Sequence, residues 1–192
     1  MNVIHVIKLG GSLTHNTLLT DCLDQLDKHY QDTDMVVVPG GGAFADQVRL
    51  AQQHWRFDDR SAHCMALLAM QQMALLITGL KPAWHLAGSV VAIKAALGQG
   101  KPVVWSPDVL ELDRAGIAAT WDITSDSLAA WLAGKLTAQE LLLIKAAKVD
   151  PRLTVAEWAA QGLLDAAFCH FVERVNYRVR VVSATDGDIF NR

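Results

Sequence analysis

Short unbroken apolar runs alternate along this chain with longer segments whose apolar residues recur every three or four positions. The first kind predicts strands buried on both faces, the second predicts helices lying against them. Strands are expected over residues 3–8, 35–38, 83–86, 102–105, 140–145 and 178–183. Helices are expected over 16–30, 43–54, 61–78, 90–97, 126–133, 154–161 and 163–172, with loops at 56–60 and at the Asp- and Pro-containing stretch 106–120. Alternation of this kind gives an α/β three-layer α/β/α sandwich with a mainly parallel central sheet. No internal repeat, low-complexity tract or linker divides it, so one domain over residues 1–192 is the expectation.

The chemistry concentrates where strands end. Lys8-Leu9-Gly10-Gly11-Ser12 closes the first strand in two glycines beside one lysine, and Pro39-Gly40-Gly41-Gly42 repeats the arrangement after the second. Adjacent glycines let the backbone turn sharply and leave peptide N–H groups open to an anion, to which Lys8 adds a positive charge. Either corner alone is equally a turn without chemical consequence. In a parallel sheet, however, both fall on the rim at the carboxyl ends of the strands, where ligands gather, and the pair points to a phosphate site.

A third element, Trp121-Asp122-Ile123-Thr124-Ser125-Asp126-Ser127, crowds hydroxyls and carboxylates at the start of a helix. Thr124 or Ser125 suits the N-cap and Asp126 the first turn. Two acids beside Trp121 exceed what capping requires, which makes Asp122 and Asp126 candidate site residues. Lys145 and Lys148, just past the fifth strand, either reach solvent or meet phosphate.

In this order the motifs resemble the amino acid kinase family, whose fold is shared by acetylglutamate kinase, aspartokinase, bacterial uridylate kinase, isopentenyl phosphate kinase and carbamate kinase. Lys8 to Ser12 resembles the family's opening Lys-x-Gly-Gly-Ser, Gly40 to Gly42 its second glycine loop, and Trp121 to Leu128 its acidic helix start. The resemblance covers residues 3–150 and implies an ATP- and Mg2+-dependent phosphotransferase acting on a small molecule. It gives Lys8, Asp126 and Lys145 catalytic roles, with Asp126 orienting the lysines. Gly10, Gly11, Ser12, Lys145 and Lys148 would bind the nucleotide; Gly40, Gly41, Gly42, Asp122, Thr124 and Ser125 would face the acceptor. No residue is assigned to the protein as a metal ligand.

The chain also departs from the family pattern. Gly162-Leu163-Leu164-Asp165 stands where many members carry Gly-Met-x-x-Lys, and Lys145-Ala146 replaces a Thr-Asp pair, so residues 121–192 read as a reduced nucleotide-binding part. Its shortness and the run Trp121 to Ser127 resemble those short members that phosphorylate a furan-type phosphate in methanofuran biosynthesis. Amino-acid or nucleoside-monophosphate kinase activity, or nucleotide sensing without catalysis, remain the alternatives. The Walker-type phosphate loop and the Gly-x-Gly-x-x-Gly fingerprint are both absent from the sequence.

Composition narrows the partners. With 17 Lys and Arg against 20 Asp and Glu, the net charge is −3, and no basic run offers a field for nucleic acid. Three widely spaced cysteines form neither a disulfide framework nor a zinc pattern. That and the lack of an export-type amino-terminal run lead to a cytoplasmic expectation. Residues 62–80 approach the length of a membrane span but are interrupted by His63, Gln71, Gln72 and Thr78, so no membrane is expected. The apolar girdle of that helix favours a homodimer or larger homo-oligomer.

Overall fold

A computed structural model of the chain describes residues 3–15, 17–31, 33–186 and 189–190. Six strands form one sheet: β1 (Ile4–Leu9), β2 (Asp34–Pro39), β3 (His85–Ala87), β4 (Val103–Trp105), β5 (Glu140–Lys145) and β6 (Arg178–Ser183). They lie in the order β3-β4-β2-β1-β5-β6 and every neighbouring pair is parallel. The helices are α1 (Leu18–His29), α2 (Gly42–Trp55), α3 (Asp59–Leu80), α4 (Val90–Leu97), α5 (Val109–Arg114), α6 (Ser125–Leu136), α7 (Val155–Ala160) and α8 (Phe168–Val172). A 3-10 turn over Gly11–His15 follows β1.

The two-residue period of the strands builds the layers. Val6, Val36, Val38, Trp105, Leu141 and Leu143 pack on one side with Ile93 of α4 and Leu128 and Leu132 of α6. Ile7, Leu9, Val37, Val104, Leu142 and Ile144 face the other side, toward Leu19, Leu23 and Leu26 of α1. α3 serves both cores, giving Leu67 and Met70 to the first and Met73 and Ile77 to the second. Among the described residues α3 is the one helix long and apolar enough to cross a membrane; here it is an element of this packing.

Most predicted elements recur with ends moved by one to three residues. Asn16, the expected start of the first helix, lies outside the described residues. α5 falls inside the stretch read as a loop: at six residues it is too short to show a period, yet Asp108 caps it by accepting from Leu110 N at 2.7 Å and Leu112 is buried. The helix expected over 163–172 shrinks to α8, because residues 163–167 turn back to bond with the start of α6.

Candidate active site

Both glycine corners leave the sheet side by side, since Lys8 pairs with Val38 of β2 and with Leu143 of β5. Gly10 N donates to Ile144 O at 2.9 Å and Gly40 N to Leu9 O at 2.8 Å. Beyond these bonds the corners touch backbone to backbone. A Cβ on Gly11 would lie 2.5 Å from Gly42 N, and one on Gly40 would lie 2.5 Å from Gly11 N, so neither position admits a side chain. Gly42 adds a φ of +53° where α2 begins. A rim of bare peptide results, contiguous with two helix starts.

Strand alternation also aims the lysines. Lys8 shares a face with Val6, and Lys145 with Leu141 and Leu143, so both side chains rise toward α6. There Asp126, in the first turn, accepts from both: Lys8 Nζ lies 2.7 Å from Oδ1 and Lys145 Nζ 2.7 Å from Oδ2. All three are buried, at 4%, 9% and 3% exposure for Lys8, Lys145 and Asp126. Burial alone would push the Asp126 carboxyl up, but the two ammonium groups hold it below the usual carboxylate range. Burial and then the like charge of Lys8 bring the Lys145 ammonium down to about 8, against the opposing pull of Asp126. Two ammonium groups against one carboxylate leave one positive charge in excess next to the bare amides. A polyphosphate is the kind of group such a place holds.

α6 begins in an unusual way. Thr124 occupies the N-cap but makes no capping bond of its own. Asp165, from the loop after α7, accepts instead from Thr124 N at 2.8 Å, from Ser127 N at 2.9 Å and from the Thr124 hydroxyl.

A cavity of about 290 Å3 opens beside the rim. Gly11, Ser12, Gly41, Gly42, Thr124 and Ser125 border it on the side of the glycine rim, and Leu67, Met70, Ile123 and Leu128 give it apolar walls. Its mouth carries Asp46, Arg49, Asp59 and Trp121. The Arg49 guanidinium lies 3.8 Å from the Trp121 ring centroid, and Trp121 Nε1 donates to Gln52 Oε1 at 2.6 Å. His63, only 8% exposed, also lines the cavity, and burial lowers its pKa so that the ring is neutral near pH 7.

The structure therefore brings together Lys8, Gly10, Gly11, Ser12, Gly40, Gly41, Gly42, Thr124, Ser125, Asp126 and Lys145. Of these, Gly11, Ser12, Gly41, Gly42, Thr124 and Ser125 line the cavity, while Lys8, Gly10, Gly40, Asp126 and Lys145 lie outside its lining, as does Asp122, which is exposed and whose carbonyl accepts from Ala167 N at 3.0 Å. Lys148 is exposed and borders a separate cavity of about 740 Å3 with Asp150, Arg152, Trp158 and Gln161.

Residues 4–149 match the model of the amino acid kinase family. The chain belongs to that family. A (5-(aminomethyl)furan-3-yl)methyl phosphate kinase from Methanocaldococcus jannaschii is 25% identical over 148 residues, which are 73% of this chain and 64% of the relative. The chain thus spans a little under two thirds of that kinase. The fold matches the crystal structure of UMP kinase from Ureaplasma parvum with a TM-score of 0.69 at 18% identity, covering 95% of this chain and 90% of that one. Aspartate kinase from Synechocystis gives 0.70 at 17% identity, covering 96% of this chain and 38% of the other.

In this member of the family, sequence reasoning missed five residues around the site: Asp46, Arg49, Asp59, His63 and Asp165. His63 enters that reasoning only as an interruption of an apolar segment, although a lone histidine on such a helix was itself the available signal. Asp165 entered it only as the end of a segment without the lysine many members carry, while its bonds to α6 span about 40 residues of sequence and leave no local trace.

Proposed function

We propose that the chain is a phosphotransferase that moves the γ-phosphoryl group of ATP, with Mg2+, to a small phosphate-bearing acceptor in the 290 Å3 cavity. The observation that carries this reading is the convergence of Lys8 and Lys145 on Asp126 beside two glycine corners that admit no Cβ. Bare amides and excess positive charge fit a nucleotide's phosphates. Among the described residues no group of three or more His, Cys, Asp or Glu is placed to hold a metal ion. That is compatible with Mg2+ carried largely on the nucleotide's phosphate oxygens, where it would spread their charge.

In this reading Gly10, Gly11 and Ser12 hold the donor phosphates, and Gly40, Gly41, Gly42, Thr124 and Ser125 face the acceptor. Lys8, at the end of β1 against Asp126, stabilises charge on the phosphoryl group in transit; Lys145 works from the donor side. Asp126 holds the ammonium groups in place and is no general base, because both its oxygens are engaged and it stays ionised. A phosphate acceptor needs none, being anionic already. The stretch 121–192 supplies the nucleotide side, with Lys148 and the 740 Å3 cavity as the place for the rest of the donor.

The cavity volume stands at the lower end of small-molecule sites and suits a compact metabolite. The name of the M. jannaschii relative supports a furan-type phosphate, of the kind used in methanofuran biosynthesis. The test is ADP release with (5-(aminomethyl)furan-3-yl)methyl phosphate, nucleoside monophosphates, acidic amino acids and carbamate. Turnover with the furan phosphate is expected to exceed the others. ATP binding without transfer to any acceptor would overturn the reading in favour of a nucleotide sensor.

We also propose a homodimer through α3, whose Met65, Leu68, Leu75 and Leu76 remain outside the core. Light scattering giving a monomer mass would end that proposal.

A further inference from the structure

We infer that Asp165 is a positioning residue of the transfer site: from the loop before α8 its carboxylate fixes the first turn of α6, and with it the Asp126 carboxylate that seats Lys8 and Lys145. The inference rests on the phosphotransferase reading above and adds a residue to it.

A helix start leaves its first N–H groups without partners, and the N-cap side chain ordinarily accepts one of them. Thr124 stands at that position, but its hydroxyl donates to Asp165 rather than accepting from the helix. The acceptor that Ser127 N needs is supplied by Asp165 Oδ2 at 2.9 Å, and the same oxygen takes Thr124 N at 2.8 Å. The clasp is double, because Ala167 N donates back to Asp122 O at 3.0 Å. Leu164 and Phe168, at 3% and 0% exposure, anchor the loop in the core on either side of Asp165. Within its own loop the segment before α6 is held by the bonds of Asp122 N and Ile123 N to Thr120, each 3.3 Å, and the shorter bonds that hold the first turn of α6 come from the Asp165 loop.

Asp126 lies between the two clasped positions. Its oxygens meet two ammonium groups at 2.7 Å, a geometry that a turn of the first helical residues would break. Asp165 also acts on charge. The charged groups around the Lys145 ammonium are Lys8 of β1, Asp126 of α6 and Asp165, and Asp165 works with Asp126 to keep Lys145 protonated against burial and Lys8. With Asp165 a negative charge also fills part of the α6 amino terminus, which leaves the glycine rim as the place for a ligand phosphate.

The test pairs Asp165→Asn with the parent protein. In 13C-lysine-labelled protein, with the Lys145 Cε resonance assigned through Lys145→Arg, the Lys145 titration is expected to move to lower pH in Asp165→Asn. With the active acceptor, kcat is expected to fall at least about tenfold while the KM for ATP stays within about twofold. A lower Tm with an unmoved Lys145 titration and parental kcat would make Asp165 a structural cap only and overturn the inference. Should Asp165→Asn not fold, Asp165→Glu decides: its retained charge with a displaced carboxylate should leave the Lys145 titration in place and lower kcat, and a parental kcat would overturn positioning. A parent protein inactive with every acceptor defeats the phosphotransferase reading, and the Lys145 titration still tests Asp165.

Discussion

Strands β1 and β5 carry an ion cluster at each end, buried at the carboxyl rim and half-buried at the amino end, and the two are built differently. At the carboxyl rim, Lys8 and Lys145 share Asp126 on the α6 face of the sheet. At the amino end, on the α1 face, Glu140 lies 3.5 Å from the Arg180 guanidinium and 3.5 Å from His5 Nδ1. There His5 packs on the buried Tyr30 ring, and the Gln139 carboxamide accepts from Ile4 N at 2.7 Å. His5 and Arg180 together hold Glu140 below the usual carboxylate range against burial. One cluster joins side chains to one another; the other presents surplus positive charge to a backbone stripped of Cβ atoms. A buried ion pair is weak evidence of function by itself. The open backbone beside the charges is what separates the rim from the amino end.

The sharpest way to break this comparison is to neutralise the central acid of each cluster. Asp126→Asn leaves two buried ammonium groups without their counter-charge and is expected to cost about 3–5 kcal/mol of stability, with loss of turnover. Glu140→Gln is expected to cost about 1–3 kcal/mol and to leave kcat per folded molecule unchanged. Denaturant melts and turnover on the same preparations check both, and equal losses of kcat in the two variants would erase the distinction.

Slightly smaller in energy, and confined to activity, is the effect of removing one cation. Lys8→Met keeps the stem of the side chain and the Lys145–Asp126 bond, so the fold should survive, while kcat falls about 10²–10³-fold as a charge on the moving phosphoryl group is lost. Arg180→Met at the amino end should show the reverse, a lower Tm with intact turnover. An active Lys8→Met protein would remove the chief support for the proposed chemistry.

The rim was legible in the sequence because its parts are local. Two glycine runs and a lysine at strand ends need only strand identity and a parallel sheet to be brought together, and the backbone contact between Gly11 and Gly42 is the consequence. Asp126 was legible through its place in a helix start. Asp165, His63 and Arg49 were not, because their meaning lies in what they face: a helix start some 40 residues away, a cavity wall, an indole ring. The elements behave alike. β1, β2 and β5 are apolar on both faces and stand out, whereas α5 is a single capped turn that no periodicity reveals. Asp122 belongs to the same helix start in sequence, yet its side chain is exposed and outside the cavity lining.

The mildest probe of the comparison is pH, and Lys145 at the rim stands apart from both carboxylates by sign. Lys145 is lowered from 10.5 to about 8, so the folded protein gives up this proton before the unfolded chain does. Between those values the unfolded state binds more protons, and the stability that Lys145 contributes rises with pH. Turnover, which uses the ammonium form, should instead decline as pH rises through about 8. Asp126 and Glu140, both held below their ordinary values, contribute stability that is complete above those values and lost as pH falls through the folded-state values. Alkaline loss of activity with undiminished thermal stability would therefore place the titrating group at the rim. Activity and stability declining together above pH 8 would mean that unfolding, and not Lys145, sets the limb.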